Sequence, residues 1–207
     1  MKIINYHAGL GGNALNWDEK EHEIIHVENN PKIAGVLQRN KPNQQVIIAD
    51  AKDHLLKNYE WADFIWMSPP CQTHSKMNRA TRHKSCIRYI DGQLFEFIIF
   101  LKTHFKGKWL VENVVPYYEI LLNPTRMGRH LFWSNFDLTP INIPTPPGFI
   151  NLATVEAKKV MMDWLGIHYE ENIYYGTNHC PVQILRNCVH PITGLSILND
   201  AINSISS

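Results

Sequence analysis

Two short stretches of this chain carry residues suited to covalent chemistry. Ser68-Pro69-Pro70-Cys71-Gln72 presents a thiol on a segment whose two prolines restrict the backbone. A cysteine held there is placed to act as a nucleophile where a neighbouring group lowers its pKa, although a lone cysteine is more often a small buried hydrophobe. Val111-Glu112-Asn113-Val114 puts a carboxyl at the end of the apolar run Trp109-Leu110-Val111. Partial desolvation there raises its pKa and lets it donate a proton near neutral pH, whereas a surface strand end would leave it ordinary.

A third constellation suits a nucleotide-like ligand. Ala8-Gly9-Leu10-Gly11-Gly12 follows an apolar strand, and its glycines allow a tight turn and close approach of backbone to ligand. A plain glycine turn accounts for it equally well, but Glu28 and Asp50 close the next two strands. One can accept from ribose hydroxyls and the other from an adenine amino group, so three strand ends line an adenosine-shaped cleft. The spacing is G-x-G-G and not G-x-G-x-x-G, which fits a dinucleotide pyrophosphate poorly and weighs against a nucleotide-dependent oxidoreductase. Between Asp63 and Asp91 there is no acidic residue, while Lys76, Arg79, Arg82, Lys84 and Arg88 fall inside. Such a run is usually a solvated face; directly after a thiol it suits a polyanion whose phosphates it clamps.

The elements that position these groups read as an α/β fold, a doubly wound, mostly parallel sheet. Strands are expected at Lys2–Tyr6, Glu23–Glu28, Gln45–Ala49, Phe64–Met67 and Trp109–Glu112, with helices between them. Asn30-Pro31 reads as a cap and first helical position, and Leu94, Phe95, Ile98, Ile99 and Leu101 recur at near-helical spacing. Beyond Pro124, Leu131-Phe132-Trp133 and Asn135-Phe136 read as strands, and Pro140 to Gly148 as a proline-rich loop. Thr154 caps a helix that Gly166 stops, and further helix follows Pro181.

Composition is that of an ordinary globular chain. Of 207 residues, 44% are hydrophobic and 19% charged, which excludes disorder, and the net charge of +1 requires any nucleic-acid partner to be held by a local patch. Cys71, Cys86, Cys180 and Cys188 form no C-x-x-C pair, so they read as free thiols, and His74, His83, His179 and His190 lack paired ligand spacing, so no metal is expected. The N-terminus is too short in apolar length for a signal peptide, which makes a soluble cytoplasmic protein, with no membrane partner, the expectation.

Taken together, these motifs resemble the cytosine-5 DNA methyltransferase family, and their wider phrasing resembles its short phage and prophage branch. The glycine loop, Glu28, Asp50, Pro70-Cys71-Gln72 and Glu112-Asn113-Val114 follow in the family's order, and Arg186-Asn187-Cys188-Val189 is similar to its last motif. The resemblance implies a Rossmann-like fold, S-adenosylmethionine as cofactor, and a monomer acting on double-stranded DNA. Cys71 would add to C6 of a flipped cytosine, with Glu112 on N3 and Arg129 as a further catalytic group. Ala8, Gly9, Leu10, Gly11, Gly12, Glu28, Asp50, Pro70, Asn187 and Val189 would meet the cofactor. Gln72, His74, Ser75, Lys76 and the basic residues after it would meet DNA, and Asn113 would brace the Cys71 loop.

The departures are specific. The family's Gln-x-Arg-x-Arg motif is reduced to Met127-Gly128-Arg129-His130-Leu131, and the glycine of the last motif is Arg186 here. Only about four dozen residues separate Phe136 from that motif. The expected organisation is a catalytic domain of residues 1–136 and 176–207 with a reduced target-recognition region, 137–175, and hence short or relaxed sequence specificity. There Lys158, Lys159, Trp164, His168, Tyr169, Tyr174 and Tyr175 either contact DNA or form the region's own core. An RNA cytosine-5 methyltransferase is a rival without its Cys-Phe-Thr signature here, and a catalytically silent binding member is a second, disfavoured by the presence of both Cys71 and Glu112.

Overall fold

A computed structural model describes residues 1–76, 89–149, 153–174 and 180–206. Arg79, Arg82, Lys84, Arg88, His83 and Cys86, together with Tyr175 and His179, lie outside the described residues. Seven strands form one sheet: β1 (Lys2–Tyr6), β2 (Glu23–Val27), β3 (Gln45–Ile47), β4 (Phe64–Met67), β5 (Lys108–Val114), β6 (Thr125–Met127) and β7 (His130–Ser134), in the order β3-β2-β1-β4-β5-β7-β6. The first five are parallel and β7 runs antiparallel to both β5 and β6. The strand order reverses between β1 and β4, and a crevice opens beyond the strand ends at such a point.

Helices cover both faces, which is why β4 reads as an unbroken apolar run: Phe64, Ile65, Trp66 and Met67 are all fully buried. Each such side chain contributes roughly 1.5–3 kcal/mol. On one face α2 (Ala51–Asn58) and α3 (Gln93–His104) pack on Ile4, Ile65 and Val111. On the other, α6 (Pro191–Ser206) packs on Ile3, Phe64 and Trp66. Gly194 lets α6 come this close, since a Cβ there would sit 1.8 Å from the Asn13 carbonyl oxygen, and the Gly194 carbonyl accepts from Trp17 Nε1 at 3.2 Å.

α1 (Pro31–Asn40) begins as the sequence predicts, with Asn30 Oδ1 accepting from the amides of Lys32 and Ile33 at 3.0 and 3.3 Å. α4 (Val155–Leu165) has Thr154 as its cap and Gly166, at φ 70°, as its stop. Its buried face, Ala157, Met161 and Leu165, shares one apolar cluster with Leu10, Ile33 and Val36, so this segment is built onto α1 and the loop after β1. A short α5 (Gln183–Arg186) completes that layer.

Two expectations are corrected. Asn135-Phe136 is not a strand: Asn135 Oδ1 accepts from the Trp109 amide at 2.9 Å and its Nδ2 donates to the Gly107 carbonyl at 2.9 Å, so a side chain takes over the ladder and ends it. Phe136 turns into the core against Phe64. The edge strand β6 was not expected, because three residues, Thr125-Arg126-Met127, are too few to show a period.

Candidate active site

The ends of β1, β2, β4 and β5 open into a cleft of about 890 Å³, counting its mouth. Ala8, Gly9, Leu10, Gly12, Glu28, Pro70, Asn187 and Val189 line it, and so do Cys71, Gln72, Glu112 and His130. The glycine loop, the thiol and the carboxyl therefore face one space. Gly9, at φ +56°, has nothing within 4 Å of where a Cβ would stand, so its backbone faces open cleft. Gly12 is required for a different reason, because a Cβ would lie 2.8 Å from both Cys188 Cβ and the Val189 carbonyl oxygen.

Glu28 is buried at the end of β2, and each carboxylate oxygen accepts one backbone amide, Gly9 N to Oε2 and Asn30 N to Oε1, both at 2.9 Å. Burial pushes its pKa up and those amides pull it down, leaving free lone pairs directed by a fixed carboxylate. Two of the expected cofactor residues lie outside the lining. Gly11 faces Leu37, whose Cδ1 is 2.5 Å from its absent Cβ, and Asp50 Oδ1 caps α2 through the amides of Lys52 and Asp53. The Asp50 charge still acts on His7, which does line the cleft.

The thiol loop is tied to β5. Asn113 Nδ2 donates to the Pro69 carbonyl at 3.0 Å and its Oδ1 accepts from the Val114 amide at 2.9 Å. His74, expected to meet DNA, is instead 1% exposed, with Nδ1 2.5 Å from the Tyr118 hydroxyl and its ring edge-on to Phe95. It pins the loop from inside. Gln72 and Lys76 are exposed, and Ser75 bridges to Pro116.

Glu112 is 5% exposed and burial pushes its pKa up to about 7, against the Ser68 hydroxyl and the Arg129 guanidinium, which pull it down. Ser68 is itself oriented by Trp66 Nε1, which donates to its Oγ at 2.9 Å. Cys71 goes the opposite way from a preactivated nucleophile: burial, and then the Glu112 charge, push the thiol up to about 11, and Arg129 opposes them. A lowered thiol pKa was the condition set for a preformed nucleophile, and the condition is not met because the cleft that places the group also desolvates it.

Sequence reasoning passed over three site residues. His130 pairs with Val114 across the sheet, and its Nε2 is 3.8 Å from Glu112 Oε1. Burial pushes its pKa down to about 3, so it stands neutral beside Glu112 and the contact is no ion pair. His7, in the left-handed region at φ 52°, has a buried Nδ1 with no hydrogen-bond partner at the cleft wall. Asn13 exchanges side-chain hydrogen bonds with Asn5 at 3.0 and 3.2 Å, and Asn5 Nδ2 also donates to His26 Nδ1. That fixes the His26 proton on Nε2, which donates to Gln44 Oε1 at 2.6 Å. The signal available in the sequence was the alternation of Asn5 and His26 with apolar neighbours inside strands.

In the segment after Phe136, Lys158 and Tyr169 are buried against each other. The Lys158 ammonium lies 4.3 Å from the Tyr169 ring centroid and donates to the carbonyls of Glu170 and Glu171 at 3.1 and 2.7 Å. Both are structural, while Lys159, His168 and Tyr174 are exposed. Among the described residues no group of three His, Cys, Asp or Glu could hold a metal, and no helix is long and apolar enough to cross a membrane.

Comparison with curated protein sequences gives no significant match. Among solved structures, the chain is similar to a hypothetical protein from Thermus thermophilus, with 15% identity over 64% of this chain and 73% of that one and a TM-score of 0.47. It is also similar to a DNMT2 variant from Spodoptera frugiperda (24% identity, 55% of this chain, 35% of that one, TM-score 0.39). A putative DNA modification methyltransferase encoded within an Escherichia coli prophage gives 20% identity, 57% and 33% coverage and a TM-score of 0.37. The family model of C-5 cytosine-specific DNA methylases matches residues 1–116, which takes in the glycine loop, Cys71 and Glu112. The chain therefore belongs to the C-5 cytosine-specific DNA methylase family, and its cofactor is S-adenosylmethionine.

Proposed function

We propose that this methyltransferase acts on C5 of a cytosine flipped out of double-stranded DNA, through a covalent adduct with Cys71. The observation that carries the reading is that Cys71 and Glu112 line one cleft with the glycine loop. The residues fit the cofactor: Gly9 leaves open space where any side chain would intrude, Glu28 offers fixed acceptors for ribose hydroxyls, and the unpartnered His7 Nδ1 faces the same wall. S-adenosylmethionine supplies a methyl group on a sulfonium sulfur, a leaving group good enough for direct transfer to carbon.

C5 of cytosine is a poor nucleophile, and the chain's own residues change that. The Cys71 thiol gives its proton to solvent water as the sulfur adds to C6, the C5–C6 π electrons move toward C5, and the carboxyl of Glu112 donates to N3, where negative charge develops. With a pKa near 7, Glu112 is substantially protonated at neutral pH, which also removes the negative field that opposes a Cys71 thiolate. Arg129 is the positive group that favours that thiolate. After methyl transfer water takes the C5 proton, N3 returns its proton to Glu112, the C5–C6 double bond re-forms and the C6–S bond breaks, freeing Cys71 as a thiolate that solvent reprotonates. Extrusion of the base is required because stacked cytosine does not expose C6 to an in-line attack from a loop.

The exposed Gln72 and Lys76 serve DNA phosphates, and the basic run that follows in the sequence, Arg79, Arg82, Lys84 and Arg88, serves the same partner on a chain of net charge +1. Residues 137–175 read the target through Lys159, His168 and Tyr174; a single module's interface of roughly 600–1,000 Å² exceeds what so few exposed groups offer, so specificity is short or relaxed. The protein works as a cytoplasmic monomer. The test is tritiated methyl transfer to unmethylated DNA and to tRNA, for wild type and Cys71→Ser, with the product nucleoside identified. Cys71-dependent 5-methylcytosine in DNA is expected. Labelling of tRNA alone transfers the reading to RNA, and cofactor binding without labelling of either polymer refutes catalysis.

A further inference from the structure

Arg129 has an unusual support. Its backbone carbonyl accepts from the Val115 amide at 3.2 Å, which fixes where the side chain starts. Its guanidinium then lies face-on to the ring of Phe149, with Cζ 4.4 Å from the centroid. Phe149 ends the proline-rich strap that leaves the sheet at Phe136, and it is itself buried. Behind it stands Trp164 of α4, edge-on at 5.7 Å, whose Nε1 donates to the Pro144 carbonyl of the strap at 3.1 Å. His190, next to the cleft residue Val189, packs on Trp164 at 4.7 Å, and its Nε2 donates to the Trp164 carbonyl at 3.2 Å. Strap, α4 and the last motif thus build one aromatic stack that ends on the Arg129 charge.

We infer that Phe149 is a positioning residue for Arg129, and that the segment after Phe136 completes the catalytic site as well as reading the target. A long arginine side chain left free spreads its charge over many rotamers, and an aromatic face selects the ones stacked on it. The guanidinium so held is the positive group acting on Cys71 and Glu112 alike. This explains how a single arginine serves where the family has two, and why Phe149 of so short a segment is turned inward. The inference rests on the role given to Arg129 above.

The test reads the Cys71 thiol directly and needs no cofactor. The pH profile of Cys71 alkylation by iodoacetamide is followed at the level of the Cys71 peptide, so the other cysteines do not interfere. Phe149→Leu removes the π face and keeps an apolar side chain; pentafluorophenylalanine at 149 keeps the shape and reverses the ring's quadrupole, so folding is not at issue. Both are expected to move the profile to higher pH and to slow alkylation about tenfold at a pH below the thiol pKa, a shift of about one unit. Phe149→Trp is expected to retain the wild-type profile. Arg129→Gln is expected to give at least the same shift, with no further change when Phe149→Leu is added. If Arg129→Gln shifts the profile while pentafluorophenylalanine does not, Phe149 only fills space and the inference is wrong. If Arg129→Gln itself leaves the profile in place, the Arg129 role falls, and this inference with it.

Discussion

Replacing Glu112 by Gln separates the charge of that residue from its shape. A carboxyl raised from its ordinary 4.5 to about 7 holds its proton more tightly in the folded protein than in the unfolded chain. Below pH 4.5 both states are protonated and nothing is lost; as pH rises toward 7 the unfolded chain ionises first, so stability falls. At ~1.4 kcal/mol per pKa unit the full loss is ~3 kcal/mol, reached above pH 7. Glutamine has no such proton, so its advantage over wild type should grow from ~1 kcal/mol near pH 5 to ~3 kcal/mol near pH 8. Urea denaturation of both proteins across that range reads the difference. Buried His7 and His26, both pushed down to about 4, destabilise both proteins equally as pH falls from 6.5 and so cancel in the comparison, whereas His130, pushed down to about 3 and 3.8 Å from Glu112, is kept out of it by reading the difference in the part of that range above pH 6.5. Methyl transfer by the variant should meanwhile fall by ~10²–10⁴, the usual contribution of a positioned acid. A stability difference that stays flat with pH would show that Glu112 is ionised in the folded protein and would refute the proton donation assigned to it.

The glycines of the first loop should separate by phenotype. Gly9→Ala places a methyl in open cleft at a strained φ, so the cofactor Kd measured by calorimetry should rise about tenfold or more, with ~1–2 kcal/mol lost from stability; unchanged cofactor affinity would mean the cleft is not the cofactor site. Gly12→Ala drives the same methyl into Cys188 and the Val189 carbonyl, and should instead lower Tm sharply. Lys158→Met strips the donor from two carbonyl oxygens, at a cost of ~1–3 kcal/mol by thermal unfolding. Its DNA affinity should keep the wild-type dependence on salt, whereas loss of that slope by about one would place Lys158 on a phosphate.

What was legible in the sequence was what local chemistry dictates. The caps Asn30 and Thr154, the stop at Gly166 and the apolar runs of β1 and β4 each specify their element from a few adjacent residues, and the structure has them where those residues are. The cleft was legible for a related reason, since in a parallel sheet the C-terminal ends of neighbouring strands fall on one edge whatever the loops do. The side-chain environments were not. Whether His74 meets solvent or Tyr118, and whether Lys158 meets DNA or a pair of carbonyls, depends on contacts 44 and 12 to 13 residues away in sequence.

The state of the thiol is the sharpest case of that limit, and it bears on mechanism. A cysteine that follows two prolines reads as an activated nucleophile only if its surroundings are positive, yet the strand that carries Glu112 beside it is walled by β7, and the resulting burial outweighs Arg129. Desolvation raises Cys71 and Glu112 together, and the Glu112 charge opposes a Cys71 thiolate. The combination the site tolerates best is one negative charge shared between two acids, with the proton on the carboxyl when the sulfur is bare. That is also the combination the proposed C6 addition requires, a thiolate at C6 and a proton at N3. In the proposed reaction the free enzyme keeps its thiol protonated, and the sulfur loses that proton while Glu112 still holds its own, the Glu112 proton passing to N3 only as the S–C6 bond forms; burial that rules out a preformed nucleophile is compatible with that order.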